Sequence, residues 1–229
     1  MLFLAVFCGF MAEYQLEHKI EKDRAKQFAV SLQQDLASDT LLFNRVMDNL
    51  AYCARNTDTL ISILEQPGSA VTKTNEIYRL SVYAFIFPGA DINESTLQQL
   101  LNSGSLRYFR DDSLVARIKK YNSRVQSTKE FSTACNYFNT EFRKAQAGIL
   151  EVRPLLNYIS SQDFLNRPDY ITDQGNEVFE GYRLLSTEPV KIKEYANWCA
   201  LKKFYMENAI AYLSRIKEHA RAILHLLDR

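Results

Sequence analysis

From Phe28 to Leu64 the stripe positions step by alternating four and three residues, through Leu32, Leu36, Asp39, Phe43, Val46, Leu50, Cys53, Thr57, Leu60 and Leu64. This rhythm puts one stripe along one side of a long helix that packs in a coiled-coil-like way. Asp39 and Thr57 are its polar members, expected at a wet end of the interface or paired across it. Pro67-Gly68 stops the helix. A second helix is expected over 69–87, with Ile77, Leu80, Ala84 and Phe87 as one face and Pro88-Gly89 closing it. A short helix over about Ser95 to Asn102 follows, ended by Gly104, which suits the left-handed position after a helix.

Asp111, Asp112 and Ser113 are N-cap candidates for a long helix beginning at Leu114. Its stripe comprises Leu114, Ile118, Tyr121, Val125, Cys135, Phe138, Phe142, Ile149 and Val152, and Pro154 is expected to kink or end it. Residues 160–187 are the loop-richest stretch, with Pro168, Gly175 and Gly181. Thr187 followed by Pro189 opens a last helix, because proline is welcome in a first turn. Ile192, Tyr195, Cys199, Met206, Ile210, Leu213, Ala220, Leu224 and Leu227 form its apolar face. Long helices with one apolar stripe each cannot bury that stripe alone, so the expected fold is all-α, a bundle of long amphipathic helices.

The chain opens on Leu2–Ala12, a run without charge that ends at Glu13. Its large side chains, Leu2, Phe3, Leu4, Val6, Phe7, Phe10 and Met11, form a candidate membrane anchor continuous with the first long helix. A spanning helix needs about 20 apolar residues, so the run alone is short. It also lacks the basic start and cleavage site of a signal peptide. Three readings stand: part of a longer membrane helix, an interfacial anchor, or buried first turns of a soluble helix. The expected division is 1–12 as anchor and 13–229 as a single helical-bundle domain.

Composition agrees with few, long helices: 7 Gly and 5 Pro in 229 residues leave few turns. Hydrophobic content of 47% and charged content of 24% are those of a globular chain. The 28 basic and 27 acidic residues give a net charge of +1, without the basic excess of a nucleic-acid binder. Cys8, Cys53, Cys135 and Cys199 are too widely spaced for a zinc site or a disulfide scaffold. The last three fall on apolar stripes and read as small core residues, with one interhelical disulfide as the alternative.

Candidate chemistry is sparse. Positions three before His18, His219 and His225 are Gln15, Ile216 and Ala222, so the Glu-x-x-His of a bundle di-metal site is absent. His219 and His225, six apart, lie on different helix faces. Phosphate-loop, dinucleotide, nucleophile-elbow and zinc-protease signatures are missing, and neither a metal nor an organic cofactor is expected. Asp169, Asp173, Glu177 and Glu180 lack the ligand order of a calcium loop. The most individual stretch is Gly104 to Ser113, where Arg107, Tyr108 and Arg110 beside a glycine turn are candidates for an anion or partner contact.

The apolar start, then GFMAEYQLEHKIEKDRAKQFAVSLQQDLASDT and LQQLLNSGSLRYFRDDSLVARIKKYNSRV, resembles a family of small single-pass membrane proteins of the Bacteroidetes, a domain of unknown function. The resemblance rests on Leu100, Ser103, Gly104, Leu106 and Arg107, then Ile118 and Tyr121, and covers roughly the first 125 residues. The family's basic flank and the first half of its membrane helix have no counterpart here. The resemblance implies a cell-membrane location, with a basic flank inside and the bulk of the chain outside the cytoplasm, in the periplasm.

The leading functional expectation is a membrane-anchored helical interaction or signal-relay module without catalysis, its partners the lipid bilayer and a second copy through the stem helix. The alternatives are a soluble helical bundle binding a protein partner, and an enzyme with an unrecognised site around Arg107 and Arg110.

Overall fold

A computed structural model of the chain describes residues 2–87, 89–161 and 179–228, with backbone only for 2–5 and 161. Among the described residues there are seven α-helices and no strand. They are α1 (Leu2–Leu64), α2 (Ser69–Thr72), α3 (Thr74–Phe85), α4 (Ser95–Asn102), α5 (Asp112–Ala147), α6 (Val152–Ser161) and α7 (Pro189–Leu227). A 3-10 turn over Ser105–Tyr108 follows α4. The chain separates into two compact units, one of Met1–Leu42, Asp91–Gln126 and Arg215–Arg229, the other of Phe43–Ala90 and Ser127–Ser214.

In the first unit the core is built from Leu32 and Leu36 of α1, Leu97 and Leu100 of α4, Leu114, Ile118, Tyr121 and Val125 of α5, and Ile216, Ala220 and Ile223 of α7, all buried. Gly104 takes the left-handed conformation (φ 69°), which lets the chain leave α4 and enter the 3-10 turn. Asp111 then caps α5, its Oδ1 accepting the N–H groups of Ser113 (2.8 Å) and Leu114 (3.3 Å). Asp39 is 2% exposed and pairs across the interface: Oδ1 accepts the Asn93 N–H (3.1 Å) and Oδ2 the Tyr121 hydroxyl (3.3 Å).

The second unit buries Phe43, Val46, Leu50, Cys53 and Leu60 of α1 against Ile77, Leu80 and Tyr83 of α3, Cys135 and Phe142 of α5, Leu155 of α6, and Tyr195, Cys199 and Met206 of α7. Each large side chain removed from water stabilises the fold by about 1.5–3 kcal/mol. Its buried polar groups are mostly paired. Tyr195 donates to Ser81 Oγ (2.9 Å) and accepts from Gln146 Nε2 (3.1 Å), which also reaches the Ser81 carbonyl (3.1 Å). Thr57 satisfies itself, donating to the Cys53 carbonyl one turn back (2.8 Å).

Three boundaries differ from expectation. Residues 69–87 are not one helix: Gly68 is left-handed (φ 80°), Ser69 Oγ bonds the carbonyl of Gln66 (2.7 Å) and that of Ile63, and the helical path breaks at Lys73 before restarting. α3 also ends at Phe85, leaving Phe87 beyond it. Pro154 does not end α5, which stops at Ala147 before Gly148; it lies in the first turn of α6, where a missing N–H is harmless. In α7 the buried register runs through Lys202, Ala209, Ile216 and Ile223, while Ile210, Leu224 and Leu227 sit at the half-buried fringe.

Candidate functional site

The apolar start of α1 is helical and bare. Residues 6–20 include no buried or half-buried position, and Val6, Phe7, Phe10 and Met11 are 53%, 54%, 68% and 46% exposed. Leu2, Phe3 and Leu4 belong to the same helix, their side chains outside the described set. The expected anchor finds no support as a spanning helix: among the described residues no helix is long and apolar enough to cross a membrane. Any eighteen-residue window opening at Leu2 takes in Glu13, Glu17 and Lys19, and their desolvation outweighs the gain from the apolar run. By contrast, the stripe that a stem dimer would use, with Leu36 and Phe43, is already covered within the chain.

The Arg107–Arg110 corner lies in the first unit. The 3-10 turn lays the Arg107 guanidinium over the Tyr108 ring (5.3 Å), and Arg24 of α1 donates from Nη1 to the Tyr108 hydroxyl (3.3 Å). These two arginines, Arg24 first, draw the Tyr108 phenol below its ordinary pKa. Arg24, Arg107 and Arg110 are all exposed. Arg24, on the charged face of α1, is the member that sequence reasoning missed, since nothing in the local pattern ties position 24 to 108.

A buried, strongly perturbed amine was also missed. Lys202 of α7 is 1% exposed. Its Nζ donates to Asn139 Oδ1 and lies over the rings of Phe87 (4.8 Å) and Phe142 (5.3 Å). Burial, and then the Arg143 guanidinium, pull the amine down to about 7. Cys53, Cys135 and Cys199 are coupled to it, and burial raises each thiol, Cys53 to about 12, which keeps them neutral. The thiols are free, with no disulfide among them. The signal was present in the sequence: three residues after Cys199, the four-and-three rhythm of α7 lands on position 202. At this burial the amine has no open face for a substrate, so in this conformation it is a core group.

Two neighbouring cavities of the second unit share Ala70 and Thr187 in their walls. One, of about 970 Å³, is lined by Lys73, Glu76, Arg79, Tyr182 and Arg183 among others. Its neighbour, of about 490 Å³, is lined by Leu64, Pro67, Pro189, Ile192 and Ala196 together with Glu65, Gln66, Lys193 and Asn197 among others. Glu180 is exposed, whereas Asp169, Asp173 and Glu177 lie outside the described residues. Among the described residues no group of three or more His, Cys, Asp or Glu side chains could hold a metal ion. No protein-family model matches the chain, and neither a curated protein nor a solved structure matches it significantly.

Proposed function

We propose that the protein is a helical interaction module that docks on a lipid bilayer through the exposed apolar start of α1. The observation that carries this reading is the exposure of Val6, Phe7, Phe10 and Met11 on a helical stretch with no intramolecular cover. Leu2–Ala12 measures about 16 Å at 1.5 Å per residue, roughly half of a hydrocarbon core about 30 Å thick. These residues enter the hydrocarbon from the head-group side, where Glu13, Glu17 and Lys19 stay with the head groups. Covering each large side chain contributes on the order of 1 kcal/mol or more. The solvent-facing Arg24, Arg107 and Arg110 fit acidic head groups.

Co-flotation of the full chain with phosphatidylcholine vesicles, and with vesicles containing phosphatidylglycerol, tests the reading. The wild type floats, more completely with the acidic lipid, and the Phe7→Lys/Phe10→Lys variant stays at the bottom with unchanged helicity. A wild type that stays at the bottom with both compositions contradicts the reading. If it then also sediments as a dimer that the double variant dissociates, the apolar start serves a second copy instead.

A further inference from the structure

Lys73, Glu76 and Arg79 follow one another at three-residue spacing into α3, so they share one side. Opposite them runs the segment Tyr182–Leu185. Gly181 enters it with a left-handed turn (φ 84°). The segment is then pinned by backbone bonds: Tyr78 donates its hydroxyl to the Arg183 carbonyl (3.1 Å), and the Leu185 N–H reaches the Ile149 carbonyl (2.8 Å). Tyr78 is itself fixed, accepting the Glu151 N–H (2.9 Å). The larger of the two neighbouring cavities therefore has two firmly held walls.

Its charge is unbalanced. Three cations, Lys73, Arg79 and Arg183, line it against one carboxylate, Glu76, which sits 4.0 Å from Lys73. Arg79 Nε is buried and has no hydrogen-bond partner. A buried guanidinium N–H left unpaired is costly, and an oxyanion is the group that relieves it best, in a paired geometry that a lysine cannot offer. Past Ala70 and Thr187, Leu64, Pro67, Pro189, Ile192 and Ala196 give the second cavity an apolar strip, bordered by Glu65, Gln66, Lys193 and Asn197.

We propose that this corner of the second unit binds an anionic amphiphile, its phosphate or carboxylate head between Arg79, Arg183 and Lys73 and its short alkyl tail beside Ile192 and Pro189. The proposal is independent of membrane docking, because no residue of the apolar start takes part.

The test is titration calorimetry on the full chain with three probes: octyl phosphate below its micelle concentration, inorganic phosphate, and the uncharged octyl glucoside. Octyl phosphate binds at least about tenfold more tightly than either of the others, since head and tail each contribute. Arg79→Gln weakens it by about tenfold or more, the loss of one charge-assisted bond. Arg183→Gln, at an exposed position that tolerates change, weakens it in the same direction should Arg79→Gln fail to fold. Phe7→Lys/Phe10→Lys leaves the affinity unchanged, which separates this site from the bilayer-docking helix. Equal binding of octyl phosphate and octyl glucoside, an affinity untouched by both arginine variants, or no binding of octyl phosphate overturns the proposal.

Discussion

Tyr121 donates its hydroxyl to Asp39 at 3.3 Å inside the first unit, and both side chains are buried. Burial, the largest influence, raises the Asp39 pKa above the usual 3.8 even though the Asn93 N–H and Tyr121 oppose it. In the window just above 3.8 the folded chain holds a proton that the unfolded chain has lost, so this group's contribution falls as pH rises. Asp39→Ala leaves the buried Tyr121 hydroxyl unpaired, removes the partner of the Asn93 N–H, and destabilises by about 1–3 kcal/mol. Asp39→Asn keeps an acceptor, is milder at neutral pH, and removes the pH dependence. Urea unfolding of the three proteins between pH 4 and 7 checks both statements.

Lys202 gives the stability curve a slope of the opposite sign. Its folded pKa, about 7, lies below the ordinary 10.5, so between those values the unfolded chain binds the extra proton and stability rises with pH. The rise approaches about 1.4 kcal/mol per pH unit. Above the ordinary thiol value of 9.0, Cys53, Cys135 and Cys199 oppose it, because their folded pKa values are raised. The clean window is therefore 7 to 9. Lys202→Met flattens the curve there and is more stable than wild type below pH 7, as denaturant midpoints would show.

Tyrosine ionisation is expected to be staggered. Tyr108, beside Arg24 and Arg107, ionises first, while Tyr83, Tyr121 and Tyr195 are pushed upward by burial and wait for unfolding. Ultraviolet titration of the wild type and Arg24→Ala checks this: the first phase moves to higher pH in the variant.

Within the second unit, Tyr195→Phe removes the donor to Ser81 and the acceptor for Gln146 without changing the packed ring. A loss of about 1–3 kcal/mol is expected, read from thermal or chemical unfolding. A variant as stable as wild type would mean that Gln146 and Ser81 find other partners.

The stripes of α1 were fully legible: all ten positions from Leu32 to Leu64 are buried, since a strict four-and-three rhythm leaves only one way to hide them. Gly104 and Asp111 were legible for the same local reason, each a residue suited to a helix end. The break at Lys73 was not, because neither glycine nor proline marks it; it lies in the backbone of Lys73 itself (φ −120°, ψ 31°). Lys202 was hidden by its chemistry: a lysine on an apolar register reads as surface until Asn139, Phe87 and Phe142 are seen around it. Of the site residues, Arg107 and Tyr108 could be singled out from the sequence, but Arg24 joins them only through tertiary packing.

Cys8 is exposed at the apolar start of α1, whereas Cys53, Cys135 and Cys199 are buried, so the native protein carries its own labelling position. An environment-sensitive fluorophore attached at Cys8 of the folded chain tests bilayer docking most directly. On adding phosphatidylcholine–phosphatidylglycerol vesicles its emission shifts to the blue and is quenched by brominated lipid chains. An emission unchanged by vesicles, with no quenching, would contradict docking through this helix.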